Sequence, residues 1–199
     1  MSPRSETGSE ELAATFEYSP EERAMLLQLA HRAIASAFDG TRLDLKPPNE
    51  HLAELRGAFT TLHLHGRLRG CIGYIVAPHS LYRTVAETAQ AAAFDDPRFS
   101  PVTPREAPEL EIEISVLSVL RPIEPEDVVV GRHGLLISKG SRRGLLLPQV
   151  PAEWGWDRET FLAQTCKKAG LPPDEWQHQA NIQAFTAEVF GDATDQQIG

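Results

Sequence analysis

The sequence predicts an α+β fold, in which helices flank an antiparallel sheet that is built from hairpins. Apolar residues recur with helical spacing in three long segments and alternate by twos in several others. Two pairs of alternating segments are joined by short turns that contain glycine, which is typical of hairpins. The helices are not placed regularly between strands, so a repeated parallel βαβ arrangement is not expected.

Each of the three long helices has a recognisable beginning and end. Ser19 and Glu22 form a capping box around Pro20, a residue that suits the first turn of a helix. The other boundaries are Asp39-Gly40 for the end of the first helix, Pro78 and Asp95 for the second, and Asp157 and Gly170 for the third. A second capping box at 103–106 predicts the start of a short helix.

Six strands are expected, and four of them pair as two hairpins. The predicted strands are 58–64, 68–76, 110–116, 134–138 with 144–147, and 182–190. The turn of the first hairpin is His65-Gly66-Arg67, and strand 110–116 has one wet face, which carries Glu111 and Glu113.

Composition predicts one cytoplasmic domain at 19–199 that follows a disordered tail at 1–18, where Ser and Glu dominate. The formal charge of −9 disfavours general binding to nucleic acid or to an anionic membrane. Two cysteines cannot build a disulfide framework, and we expect a reducing compartment. No apolar run approaches the roughly 18 residues of a membrane span.

The hexapeptide Leu68-Arg69-Gly70-Cys71-Ile72-Gly73 is the segment of greatest interest. Glycine inside a strand costs roughly 0.5–1 kcal/mol relative to alanine, so a bulge, a bend or a close approach of backbone or ligand is expected there. Arg69 and Cys71 share a face of the strand. If that face points inward, the Arg69 guanidinium needs a protein carboxylate or an anionic ligand as its partner.

Positive charge is concentrated in two parts of this acidic chain. Four arginines and no acid lie between residues 56 and 83, and Arg132, Lys139, Arg142 and Arg143 lie in the acid-free stretch 128–152. If the two stretches face one another, they form a positive cleft for a phosphate or a carboxylate. If they do not, they are solvated hairpin turns.

Several side chains could carry chemistry, and each also has an ordinary interpretation. Cys71 is either a nucleophile that Arg69 activates or an inert core residue, and Cys166 is expected to be core. His63 and His65 are either metal ligands or solvated strand residues, and nothing fixes further ligands, so no metal is predicted. His133 is a turn residue or the wall of a pocket.

The stretch Asp95-Asp96-Pro97-Arg98-Phe99 offers paired carboxylates for acid/base work, or for pairing with an arginine such as Arg69. We find no Walker loop, dinucleotide fingerprint, nucleophile elbow or CxxC pair, and therefore predict no cofactor.

Taken together, the segments resemble the AMMECR family, also called protein A of the AmmeMemoRadiSam system. The hexapeptide looks like the signature of that family. The other matching segments are 57–62, Asp96-Pro97-Arg98-Phe99, 113–117, His133-Gly134-Leu135, Leu147-Pro148-Gln149-Val150, Glu153, 155–157, 161–162, Cys166 and 168–171. Pro151 and Gly191-Asp192 depart from the pattern, and the second departure puts an acidic site at the end of the last strand in doubt.

The resemblance implies an α+β fold, a cytoplasmic setting, and association with a Memo-type protein and a radical-SAM enzyme. It supplies no established activity, and whether the chain is an enzyme stays open. It marks the hairpin as the functional surface, with Arg69, Gly70, Gly73, Asp96, Arg98, His133, Gln149 and Glu153 as ligand-binding candidates.

Three hypotheses follow. In the first, a groove around the hexapeptide holds an anionic small molecule or the peptide of a partner. In the second, Cys71 is the nucleophile of an enzyme, with His133 or an aspartate as its base. In the third, the hairpin is structural, and Arg69 forms a bidentate bond to an internal carboxylate such as Asp95 or Asp96.

Overall fold

The computed structural model describes residues 17–195, which form two four-stranded antiparallel sheets with flanking helices. The helices are α1 (Pro20–Asp39), α2 (Leu81–Phe94), α3 (Gln149–Glu153), α4 (Arg158–Lys168) and α5 (Asp192–Asp195). The strands are β1 (Ala58–Leu64), β2 (Arg67–Tyr74), β3 (Leu110–Leu117), β4 (Arg121–Pro122), β5 (Gly134–Lys139), β6 (Arg142–Leu146), β7 (Asn181–Phe185) and β8 (Ala187–Gly191). The predicted α+β class is confirmed.

The first sheet has the strand order β2-β1-β3-β8, and α1 and α2 cover one of its faces. The predicted capping box at Ser19 and Glu22 starts α1, and Gly40 ends it in the left-handed conformation. Fully buried aliphatic residues from both helices and from β1 and β3 form its core, and each such side chain stabilises the fold by about 1.5–3 kcal/mol. Within this core, Thr60 of β1 bonds Thr88 of α2 at 2.8 Å.

The second sheet has the order β4-β7-β5-β6 and packs against α4. Asp157 caps α4 by accepting the Thr160 N–H at 2.8 Å, as predicted. Gly144 of β6 lies directly under the last turn of this helix, since a Cβ there would come within 2.3 Å of the Ala169 backbone nitrogen. Leu117, Leu145 and Phe185 form a small core of their own, with Phe59 and Leu147 packed against it.

The strand predicted at 182–190 is instead two strands, β7 and β8, that belong to different sheets. The chain passes between the sheets at Thr186, beside residue 118, which passes in the opposite direction. The Thr186 carbonyl accepts the Ser118 N–H at 2.9 Å, and the Thr186 N–H donates to Ser118 Oγ at 2.9 Å. These bonds remove Thr186 from both ladders, so the strand is interrupted there.

Other differences from the sequence prediction are local. The capping box at 103–106 forms its hydrogen bonds but leads only into a turn and a 3-10 helix, Ala107–Glu109. The short elements α3 and β4 were not predicted. Residues 1–16 of the predicted tail lie outside the described residues, whereas Tyr18 at its end is buried. Within 17–195, no helix combines the length and the apolar character needed to cross a bilayer.

Candidate functional site

Arg69 is held by internal partners. Its Nε donates to Glu106 Oε1 at 3.0 Å and its Nη2 to Glu106 Oε2 at 3.3 Å, which is a bidentate pair. Nη1 and Nη2 also donate to the carbonyls of Ser100 and Pro101 at 2.8 and 3.3 Å. These hydrogen bonds, from Arg69 first and then from Thr103, lower the pKa of Glu106 to about 2. The partner is a carboxylate, as the third hypothesis requires, but it is Glu106 and not Asp95 or Asp96.

The two glycines of the hexapeptide are positions of close approach. A Cβ on Gly70 would lie 2.1 Å from the carbonyl oxygen of Ala92, so α2 rests directly on β2. The register between β1 and β2 also shifts at this point, between Leu62 and His63, which marks a bulge. A Cβ on Gly73 would lie 2.3 Å from the ring of Phe59. Both glycines are therefore explained by packing.

Asp96 and Arg98 close the outer edge of β2 at Cys71. The Cys71 N–H donates to Asp96 Oδ2 at 2.9 Å, and the Cys71 carbonyl accepts Arg98 Nη2 at 3.4 Å. Arg98 binds both oxygens of Asp96 at 3.0 and 2.7 Å, and this pairing holds the pKa of Asp96 well below its usual range. Two side chains thus satisfy the edge strand as a neighbouring strand would.

The Cys71 thiol is half-buried, and its Sγ accepts a hydrogen bond from Thr61 Oγ1 at 3.3 Å. No histidine among residues 17–195 has a recorded hydrogen bond to it. Asp96 is bound to the backbone of Cys71 and is held ionised by Arg98, so it is a poor proton acceptor for the thiol.

His133 lies elsewhere, in a cleft of about 440 Å³ between the two sheets. Its Nδ1 accepts the Val129 N–H at 3.1 Å, so it is both a turn residue and a pocket wall. Burial and then the charge of Arg132 lower the pKa of His133. Arg56, which begins the first basic stretch, and Arg121, which no pattern in the sequence marked, also line this cleft.

Two ligand-binding candidates remain, Gln149 and Glu153. Within residues 17–195, neither has a recorded contact with Asp96 and Arg98 or lines the cleft that contains His133. Gln149 and Glu153 are exposed at the two ends of α3. The two basic stretches are mostly dispersed among local partners: Arg83 with Glu87, Lys139 with Glu175, and Arg142 with the Gly170 carbonyl. Only Arg56, from the first stretch, and His133, from the second, line a common cleft.

The predicted histidine pair does not share a strand face. β1 ends at Leu64, and His65 lies in the turn with a positive φ of 51°. A group with ligand atoms close enough for a metal is instead Glu17, His51 and Glu54. The Arg56 guanidinium already pairs with the carboxylates of Glu17 and Glu54, so an ion-pair network explains why these side chains lie close together.

The family resemblance left an acidic site at the end of the last strand in doubt. Asp192 lies at this position, and its carboxylate stabilises the fold. It accepts the Ile112 N–H at 2.7 Å and pairs with His31 of α1 at 2.9 Å. These bonds tie α1 and β3 to the end of β8.

Comparison with known proteins gives a consistent result. The AMMECR1 family model matches residues 27–190. Protein TK0174 of Thermococcus kodakarensis is 47% identical over 180 residues, which cover 83% of this chain and 87% of that protein. Protein PH0010 of Pyrococcus horikoshii is 44% identical over 193 residues, which cover 88% and 92%. The crystal structure of this uncharacterised protein superposes with a TM-score of 0.75 at 42% identity, covering 88% of this chain and 94% of that one.

Proposed function

Because this chain belongs to the AMMECR1 family, we propose that it is an accessory binding module whose hexapeptide hairpin offers a rigid strand edge to a partner protein. Chemistry, on this proposal, is carried out by the partner. The proposed docking site is not centred on the Arg69 guanidinium, because Glu106 and two carbonyls occupy its donors.

The observation that carries the proposal is that the outward backbone groups of β2 are hydrogen-bonded at Cys71 but not at Gly73, as far as residues 17–195 show. At Cys71 the outward N–H and carbonyl are taken by Asp96 and Arg98. Backbone groups alternate in direction along a strand, so those of Gly73, two residues on, also point away from β1. No hydrogen bond to Gly73 at this outer edge is recorded among residues 17–195.

The exposed side chains next to this open edge are apolar. Tyr74, Ile75 and Val76 are 37, 38 and 71% exposed, and Leu55 on the adjoining segment is 68% exposed. An open edge flanked by apolar side chains is a template for another strand, and an added strand gains both hydrogen bonds and apolar contacts. We therefore propose that an extended segment of a partner pairs with the outer edge of β2 at Gly73 and packs against the exposed side chains of residues 74–76.

The family resemblance supplies the candidate partners, which are a Memo-type protein and a radical-SAM enzyme encoded with members of the family. The hairpin suits such a role, because β2 is already held in place by its pairing with β1 and little ordering is needed on binding.

The alternative, a cysteine-dependent enzyme, has less support. It requires a base at the Cys71 thiol, whose recorded side-chain partner is the hydroxyl of Thr61. His133 belongs to the cleft between the sheets.

Titration calorimetry with the Memo-type protein of the same organism, and separately with its radical-SAM enzyme, tests the proposal. Ile75→Lys should weaken the complex by at least about tenfold, since a lysine beside the open edge replaces an apolar contact by a charge and opposes strand addition. The matched control is Val129→Lys, at a residue that is 49% exposed and lies in the loop before β5. This variant should bind the partner normally.

Three results would contradict the proposal: no complex with either protein, equal binding by both variants, or self-association of the chain that Ile75→Lys abolishes. The last would identify a second copy, and not a different protein, as the occupant of the edge.

A further inference from the structure

The cleft between the sheets lies where the chain crosses from one sheet to the other in both directions. Ser118 and Thr186, which bond each other at this crossing, both line it. Its volume of about 440 Å³ falls within the range of small-molecule sites, which often occur between two packed units. It is separate from the open edge of β2.

Three residues of the lining carry hydrogen-bond donors. Arg56 has a side chain that is only 10% exposed; its Nε donates to Glu54 at 2.9 Å and its Nη2 donates to Glu17. Its Nη1 has no recorded partner among residues 17–195. Arg121 is exposed, and its guanidinium likewise has no recorded partner in that part of the chain.

His133 adds a third donor. Because its Nδ1 accepts the Val129 N–H, the neutral ring carries its proton on Nε2. Nε2 has no recorded partner within 17–195, so its N–H is available to a ligand. Burial and Arg132 lower the pKa of His133, which keeps the ring neutral at pH 7.

Glu17 is the acidic group of the described lining, and it pairs with Arg56, which also pairs with Glu54. The guanidinium of Arg121 has no recorded partner within 17–195 and is left to pair with a ligand. A site with one uncompensated guanidinium and two further N–H donors fits a monoanion such as a carboxylate, which accepts several hydrogen bonds at once.

The apolar wall of the cleft includes Val119, Ile123 and Phe185. Phe185 is held in place by Gly134, the neighbour of His133, since a Cβ on Gly134 would lie 2.2 Å from the Phe185 ring. An inorganic anion would leave this wall facing water, whereas an anion with an apolar body would cover it.

We infer that this cleft is a binding site for a small carboxylic acid with an apolar body, whose carboxylate is held by Arg121, Arg56 and His133. The site acts independently of partner docking at the β2 edge. An experiment can therefore refute the ligand site in the cleft without refuting partner docking at β2, and the reverse also holds.

The test is a titration of the ¹⁵N-labelled full chain with phenylacetate, followed by NMR, with phenylacetamide and acetate as probes that lack the charge or the apolar body. Phenylacetate should give saturable shifts, and the other two should bind about tenfold more weakly, the cost of losing a charge-assisted hydrogen bond or the apolar contact. Arg121→Met should weaken phenylacetate binding to a similar degree. Arg143→Met, which removes another exposed arginine, should not.

Ile75→Lys should leave phenylacetate binding unchanged, which separates this site from the docking edge. The inference is overturned by any of three results: no saturable shifts with phenylacetate, equal binding of phenylacetamide, or equal weakening by Arg121→Met and Arg143→Met. Because Arg121 is exposed and makes no recorded side-chain contact within 17–195, its variant should fold, and a thermal unfolding curve checks this.

Discussion

The hexapeptide hairpin and the cleft between the sheets use the same kinds of side chain in opposite ways. In the hairpin, the Arg69 guanidinium is bound to Glu106 and to two carbonyls, and the backbone of Cys71 is bound to Asp96 and Arg98. In the cleft, Arg121 and the Nη1 group of Arg56 have no recorded partner within residues 17–195.

This difference separates residues that build a site from residues that could bind a ligand. A conspicuous charged motif attracts a functional interpretation, but an arginine whose donors are occupied contributes stability and shape. Less conspicuous arginines that line a cleft with free donors are better candidates for ligand contact. Four predictions test this division, beginning with the largest expected effect.

Gly70→Ala should destabilise the chain by about 3 kcal/mol, because the new methyl group would meet the backbone carbonyl of Ala92, which cannot move without shifting α2. Urea unfolding monitored by circular dichroism measures the change. Gly140→Asn is the control: its surroundings are open, its φ of 59° suits asparagine, and its cost should stay below about 1 kcal/mol. Similar values for the two variants would show that α2 does not rest on Gly70.

Arg69→Met should destabilise the chain by about 2 kcal/mol, because the Glu106 carboxylate and two carbonyls lose their donors. Arg143→Met, at an exposed position of β6 in the other hairpin, should change the free energy of unfolding by less than about 0.5 kcal/mol. If Arg69→Met proved as harmless as Arg143→Met, the internal pairing would not support the fold, and Arg69 would be available to a ligand.

Stability should fall in acid because of this same pair. The pKa of Glu106 is about 2 in the folded chain against 4.5 ordinarily, so its contribution is complete above about pH 4.5 and is lost as the pH falls toward 2. The lowered pKa of Asp96 acts in the same direction. Since solvent reaches Glu106 and screens the pair, we expect about 1 kcal/mol from it. Urea unfolding between pH 7 and pH 2.5 measures how the free energy of unfolding depends on pH. Glu106→Gln should reduce the loss of stability between pH 4.5 and pH 2.5. An unchanged pH dependence in this variant would refute the assignment.

Cys71→Ala should have the smallest effect, below about 1 kcal/mol, since the half-buried thiol makes one recorded side-chain hydrogen bond, to Thr61. Binding to the Memo-type protein should be unchanged in the same calorimetric titration. Thr61→Val, which removes that hydrogen bond and keeps the thiol, is the matched control. A stable Cys71→Ala protein in which a partner-dependent activity is lost, while Thr61→Val retains it, would favour the nucleophile hypothesis.

The elements of the fold were predictable because their signals are local. Capping residues such as Ser19 and Asp157, and the alternation in β3, act within a few residues of the chain, and the structure confirms them. The break at Thr186 was missed because it depends on Ser118, which lies 68 residues away. Nothing within the stretch 182–190 distinguishes one long strand from two.

The site was predictable only in part, for the same reason. Sequence reasoning established that Arg69 needs a partner and that its glycines need a close neighbour, but the identities of Glu106 and Ala92 are tertiary facts. His133 was predicted from the sequence as a turn residue or a pocket wall, and the structure shows that it is both. Arg56 was counted only as the first arginine of a basic stretch, and no pattern marked Arg121, because both become neighbours of His133 only when the two sheets pack.

The most direct test of the division between the two regions is the ¹⁵N spectrum of the arginine side chains during titration with phenylacetate. We predict that the Arg121 signal moves and saturates together with that of Arg56, while the signal of Arg69 stays in place. A shift of Arg69 without a shift of Arg121 would contradict the account, because it would place the accessible guanidinium in the hairpin and not in the cleft.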